Sequence, residues 1–129
     1  MRTKLSVIML VVGFVLIVSR PILAHHGTAA YDTSQTVTVK AVMTEFDFTN
    51  PHCQLFFEVK NDKGEVEKWQ GELTAPNKLS RAGWTKNTLK SGDAVTVSGY
   101  RSKNGAHSLW IRSLIGPDGT SLPLSENQD

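Results

Sequence analysis

Four histidines are the residues best equipped to hold a metal or move a proton: His25, His26, His52 and His107. Cleavage after Ala24 would make His25 the first residue. An N-terminal histidine chelates through its free α-amine and its own Nδ1, closing a six-membered ring on a metal without any folded scaffold. A second imidazole then completes a T-shaped set of three nitrogens. Such an array suits Cu(II), which heads the affinity order of the divalent first-row metals. His52 is the favoured second imidazole, because Pro51 restricts the backbone just before it; His26 is the alternative. Asp47 is a candidate outer acceptor for the ring. Copper is therefore the one cofactor the sequence raises. Gly27 stands third in a chain that begins at His25, which excludes the amino-terminal copper motif requiring histidine there. Each histidine also has an ordinary reading. His25 and His26 can serve only as a polar cleavage site, His52 can bond its own Asn-Pro turn, and His107 can cap one end of the core. The separation of His26 and His52 matches no closed metal motif.

The other reactive side chains carry less. The single cysteine, Cys53, neighbours His52, but adjacent strand residues point to opposite faces, so it reads as a buried, inert thiol. Glu45 and Asp47 share a strand face about 7 Å apart, with no pocket signal beside them. Phe56, Tyr100 and Trp110 fall on the polar parity of their strands, and Arg101 and Arg112 lie close in sequence. Exposed aromatics beside arginines make a stacking platform for a ligand or partner; the alternative is that they pack beneath a helix or an N-terminal leader. The sequence contains no Gly-x-Ser-x-Gly, phosphate-binding loop or Ser/His/Asp constellation, and an enzyme is the least favoured class.

The elements that must position these residues are mostly strands, because the dominant hydrophobic period is two. Strands are expected over 37–48, 52–60, 65–73, 94–101 and 106–115. In the first, Val37, Val39 and Ala41 point one way, and Val42, Phe46 and Phe48 then take over the apolar face. That change of parity predicts a β-bulge near Ala41 and Val42. Cys53, Leu55, Phe57 and Val59 share the inner face of the second strand. Asn61-Asp62-Lys63-Gly64 is a hairpin turn. Trp69 and Leu73 point inward from the third strand, and Val95 and Val97 from the fourth. In the fifth, Leu109 and Ile111 oppose Trp110, Arg112 and Leu114. One short helix begins at Pro76, with Leu79 and Ala82 on its apolar side and Gly83 at its C′ position. The order β-β-β-α-β-β, with a long bulged first strand, predicts a mostly β protein: a small five-stranded OB-like barrel over 37–124. An open β-sandwich is the alternative. Residues 25–36 read as an extended leader and 125–129 as a frayed tail.

Residues 1–24 read as a secretory signal peptide: Arg2 and Lys4, then 14 uncharged residues over 5–18, then Pro21 and a small residue, Ala24. Fourteen residues rise about 21 Å as a helix, short of a hydrocarbon core of about 30 Å, so cleavage is favoured over stable membrane insertion. The full chain carries 14 basic and 12 acidic residues. Removing 1–24 takes Arg2, Lys4 and Arg20 and no acid, which leaves a net charge near −1. No basic excess then remains to drive binding to a phosphate backbone, so nucleic acid is not an expected partner. With 129 residues there is room for one domain and an address tag.

Several segments resemble a family of small exported bacterial proteins of unknown function. They are Ala24-His25-His26-Gly27, the strand from Val37 to Phe46, Thr49-Asn50-Pro51-His52, Ala75-Pro76-Asn77, Arg81-Ala82-Gly83-Trp84-Thr85, and the run from Leu89 to Gly99. The resemblance implies a periplasmic location and a small β-barrel, and it brings no reaction. Family members usually carry glycine in place of Ala41 and serine in place of Ala75. The expected function is a periplasmic or secreted binding module that catalyses nothing and takes a small ligand or an envelope protein. A copper-binding protein using His25, His26 and His52 is the alternative.

Overall fold

The computed structural model describes residues 27–125. A short 3-10 helix, Gly27–Ala30, leads into β1 (Tyr31–Asp47), β2 (Gln54–Lys60) and β3 (Val66–Glu72). Helix α1 (Pro76–Arg81) follows, then β4 (Ala94–Ser102) and β5 (Ser108–Ile115). The strands close into a barrel in the order β1-β2-β3-β5-β4, with β4 returning to β1. All pairs are antiparallel except β3 with β5, which is parallel. This is the expected five-stranded OB-type plan, with its one short helix between β3 and β4.

Length and alternation explain the closure. The 17 residues of β1 pair with β4 from Tyr31 to Val42 and with β2 from Ala41 to Asp47. One strand thus supplies two edges of the ring, which leaves no open ladder on either side. Its inward residues Ala41 and Met43 are buried, and Val37 and Val39 pack partly against the same core. Leu55, Phe57, Val97, Leu109 and Leu114 fill the interior with 1% exposure or less. Each such side chain contributes about 1.5–3 kcal/mol by leaving water.

Helix α1 plugs the end of the barrel where β1 and β3 finish. Pro76 opens it, and Leu79 points inward, fully buried. It ends in a Schellman motif: Gly83 N–H donates to Ser80 O, and Trp84 N–H to Leu79 O. Gly83 sits at φ +91°, the left-handed conformation this cap requires. Trp84 then turns into the core at 3% exposure. It packs edge-on against Phe46, and its indole N–H donates to Pro123 O at 2.7 Å.

The structure corrects the sequence expectations at four places. The bulge in β1 lies between Met43 and Glu45, not at Ala41 and Val42; Met43 is the inward residue and Val42 is 47% exposed. In β5 a second irregularity, opposite Ser98 and Gly99, leaves Arg112 and Ser113 both outward. Leu114 is therefore buried instead of sharing the outer face with Trp110. Residues 31–36 belong to β1, where Tyr31 and Thr36 pair with Ser102 and Tyr100, so they are not an extended leader. His52 precedes β2 instead of opening it.

Candidate functional site

His52 follows the cis Asn50–Pro51 bond. Its neighbour Cys53 is fully buried, so alternation turns the imidazole to the outside of the barrel. There Nδ1 meets Oε1 of Glu72, the last residue of β3. The other oxygen of the same carboxylate accepts a hydrogen bond from the Tyr31 hydroxyl at 2.9 Å. Glu72 also faces Trp110 across the parallel ladder. The Trp110 ring lies 5.7 Å from His52, edge to face, and 6.0 Å from Tyr31. Four residues from β1, the loop before β2, β3 and β5 therefore meet on one outer face.

The electrostatics of this cluster follow from its partial burial. Tyr31 is 8% exposed. Burial chiefly, and then the bond to the Glu72 carboxylate, raises its hydroxyl above the usual pKa, against a lowering bond from Ser108. Tyr31 is thus held as a protonated donor. Nδ1 of His52 donates to the Glu72 carboxylate, an arrangement that in the neutral ring leaves the lone pair on Nε2. With about a third of the side chain exposed, that nitrogen can accept a hydrogen bond or ligate a metal. A carboxylate behind a histidine is the usual device for fixing a ligating tautomer.

The sequence-predicted platform is only partly assembled. Tyr100 sits beside Trp110 in the β4–β5 ladder, and the Arg112 guanidinium lies over the Tyr100 ring at 5.6 Å. Those three form one patch. Phe56 is half-buried on the outer face of β2, opposite Gln70; among the described residues, the ring contacts of Trp110 are with Tyr31 and His52. Arg101 takes the opposite parity to Tyr100, and its guanidinium lies 5.3 Å from the centre of the Trp69 ring.

That second constellation marks another part of the barrel. His107 stacks flat on Trp69, 4.7 Å away and 2° from parallel. It covers the tryptophan as a cap. Glu67 accepts from the Trp69 indole at 3.0 Å and from Asn61 at 3.1 Å. These two bonds, with His107 and Arg101 nearby, hold its carboxyl below the usual range.

Of the predicted metal residues, His25 and His26 lie outside the described residues. Among the described residues, no group of three or more His, Cys, Asp or Glu side chains gathers as a metal site. Asp47 is not the acceptor for His52, and His52 does not bond its own turn; Glu72 takes that place. Burial, with the nearby Asp47 charge second, pushes the Cys53 thiol up to about 11. Glu72 and Tyr31 are the residues that sequence reasoning missed. Alternation does place Glu72 on the outer face of β3 and His52 on the same side of the sheet. Strand register, which brings them into contact, has no local signature.

The sequence match of a family of unknown function, DUF6152, covers residues 12–109, and the chain belongs to that family. Among curated proteins none matches the sequence. Among solved structures the chain has a distant similarity to two of TiaS. One is the ZRD-deleted mutant of TiaS in complex with agmatine, 15% identical, with a TM-score of 0.40, over 76% of this chain and 24% of that one. The other is apo TiaS, a tRNA agmatidine synthetase, 18% identical, with a TM-score of 0.36, over 61% of this chain and 16% of that one. The chain spans a quarter or less of those proteins.

Proposed function

We propose that this member of the DUF6152 family is an exported binding module that holds a small ligand or an envelope protein on its Trp110 face and catalyses nothing. The carrying observation is the Tyr31–Glu72–His52 network packed around Trp110. Three polar groups are fixed in direction beside a half-buried indole on the outside of a closed barrel, which is how a recognition site is pre-organised. One observation favours binding over catalysis. The Cys53 thiol is buried with its pKa raised to about 11, so it is not a thiolate at neutral pH. Export is supported by the pattern of residues 1–24, and places the module in the periplasm or outside the cell.

The test is amide and indole NMR of the labelled chain in envelope extract. Shifts should concentrate on Tyr31, His52, Tyr100 and Trp110, and Trp110→Ala should remove them. Shifts confined to other surfaces, or unchanged in Trp110→Ala, would overturn the assignment.

A second reading is favoured by one observation, the carboxylate behind His52. It is a Cu(II) site in which His52 Nε2 joins the amine and imidazole of His25. Tyr31, which begins β1 only five residues after His26, is docked on the same Glu72. Cu(II) is titrated into a chain starting at His25, a chain with one additional N-terminal residue, and His52→Ala. Both changes should weaken binding by at least about tenfold, about 1.4 kcal/mol. Unaltered affinity in either would exclude this reading.

A further inference from the structure

The parallel β3–β5 ladder has only three rungs and ends at Glu72 opposite Trp110. Beyond that rung the chain leaves β3 for α1, while β5 runs on through its bulge. The divergence opens a groove of about 280 Å³ directly beside the Trp110 face. Its apolar lining is the buried Leu73 and Ile111 with the more open Trp110 and Leu124. Lys78 reaches it from α1 and Arg112 from β5, and among the described residues no carboxylate lines it.

We infer that this groove binds a small organic acid with an apolar body: the apolar part lies on Leu73, Ile111 and the Trp110 ring, and the carboxylate lies between Lys78 and Arg112. The inference rests on the binding reading proposed above and names its ligand class. Three observations carry it. First, the volume of about 280 Å³ lies just below the range of drug-sized ligand pockets, about 300–1,000 Å³. A small molecule suits it better than a protein loop. Second, the charge is one-sided. Lys78 and Arg112 form no ion pair among the described residues, so two cations face one cleft with no described anion between them. Third, Arg112 shares the outward parity of Trp110 and is exposed here, and its guanidinium is steadied over the Tyr100 ring. A flat cation stacked on one face keeps its N–H edge free to meet a carboxylate.

The experiment uses octanoate and octanamide as probes, followed by amide and indole NMR on the full mature chain. Octanoate should shift Thr74, Lys78, Trp110 and Arg112 and bind at least about tenfold more tightly than octanamide. The double variant Lys78→Gln, Arg112→Gln, at two exposed positions, should remove that preference and retain the folded spectrum. Equal affinity for the two probes, no shift at the groove, or a preference that survives in the double variant would overturn the inference. A chain ending at Ser125 is titrated in parallel. Equal octanoate affinity is expected; binding by the shortened chain alone would make residues 126–129 the occupant and defeat the inference. Should octanoate fail while Trp110→Ala still abolishes the shifts in envelope extract, the acid assignment falls and the binding reading stands.

Discussion

At His52 a single carboxylate decides the chemistry. Glu72 receives the Nδ1 proton on one oxygen and the Tyr31 hydroxyl on the other. Glu72→Ala should therefore release both groups. Each lost side-chain bond is worth about 0.5–1.5 kcal/mol, so a fall of about 1–3 kcal/mol is expected in denaturant unfolding. The nitrogen spectrum of His52 should change from one tautomer, protonated at Nδ1, to a mixture; an unchanged spectrum would show that Glu72 does not set the ring. Cys53 supplies a second residue-scale test. Its pKa is about 11 in the fold against an ordinary value of 9.0. The folded chain thus holds this proton more tightly than the unfolded chain. The associated stability is complete below pH 9 and is lost as the pH rises through 11, by an amount of about 3 kcal/mol. Tyr31, also raised, adds a loss of the same sign at the upper end. Cys53→Ala should flatten the alkaline slope of stability between those limits, and an identical slope in the variant would refute the assignment.

Among the elements, the bulges separate what a sequence shows from what it hides. Alternation identifies five strands, the inward set Leu55, Phe57, Val59, Val95 and Val97, and a helix opened by Pro76 and closed by Gly83. Each of those is a local signal. The change of parity in β1 is equally visible, but its position is not: Val42 and Met43 are both apolar, and only pairing with β2 makes Thr44 the additional residue. Leu114 is hidden for the same reason, since the irregularity that turns it inward is set opposite Ser98 and Gly99 on another strand. Register also explains why nothing in the sequence sets Glu72 apart from the other acidic residues: only the pairing of β2 with β3 brings it beside His52. Gly99 is where β4 tolerates that irregularity. A Cβ there would lie 2.2 Å from the Trp110 carbonyl oxygen, and a backbone atom cannot step aside as a side chain can. Gly99→Ala should cost about 1–3 kcal/mol as overpacking and disturb Trp110. Gly83→Ala, which meets no atom within 4 Å but keeps φ at +91°, should cost only about 1 kcal/mol. Thermal unfolding of the two variants ranks them, and the reverse order would contradict this account.

For the molecule as a whole, β1 both closes the barrel and carries the site. Its middle and C-terminal parts make the pairs from Thr36 to Val42 with β4 and from Ala41 to Asp47 with β2. These rungs complete the ring without residues 31–35, across which regular pairing to β4 lapses. What the first part of β1 adds is Tyr31, buried against Trp110 and bonded to Glu72. Closure and recognition are therefore separable along one strand. A chain beginning at Thr36 should still form the barrel, with the methyl signals of Leu55, Val97 and Leu109 preserved. It should lose about 2–3 kcal/mol, the contribution of one large buried side chain, and the indole signal of Trp110 should move as its cover is removed. Ligand shifts on the Trp110 face should weaken with it. Global unfolding of the shortened chain would mean that residues 27–35 are part of the closure itself, and full retention of the ligand shifts would remove Tyr31 from the site.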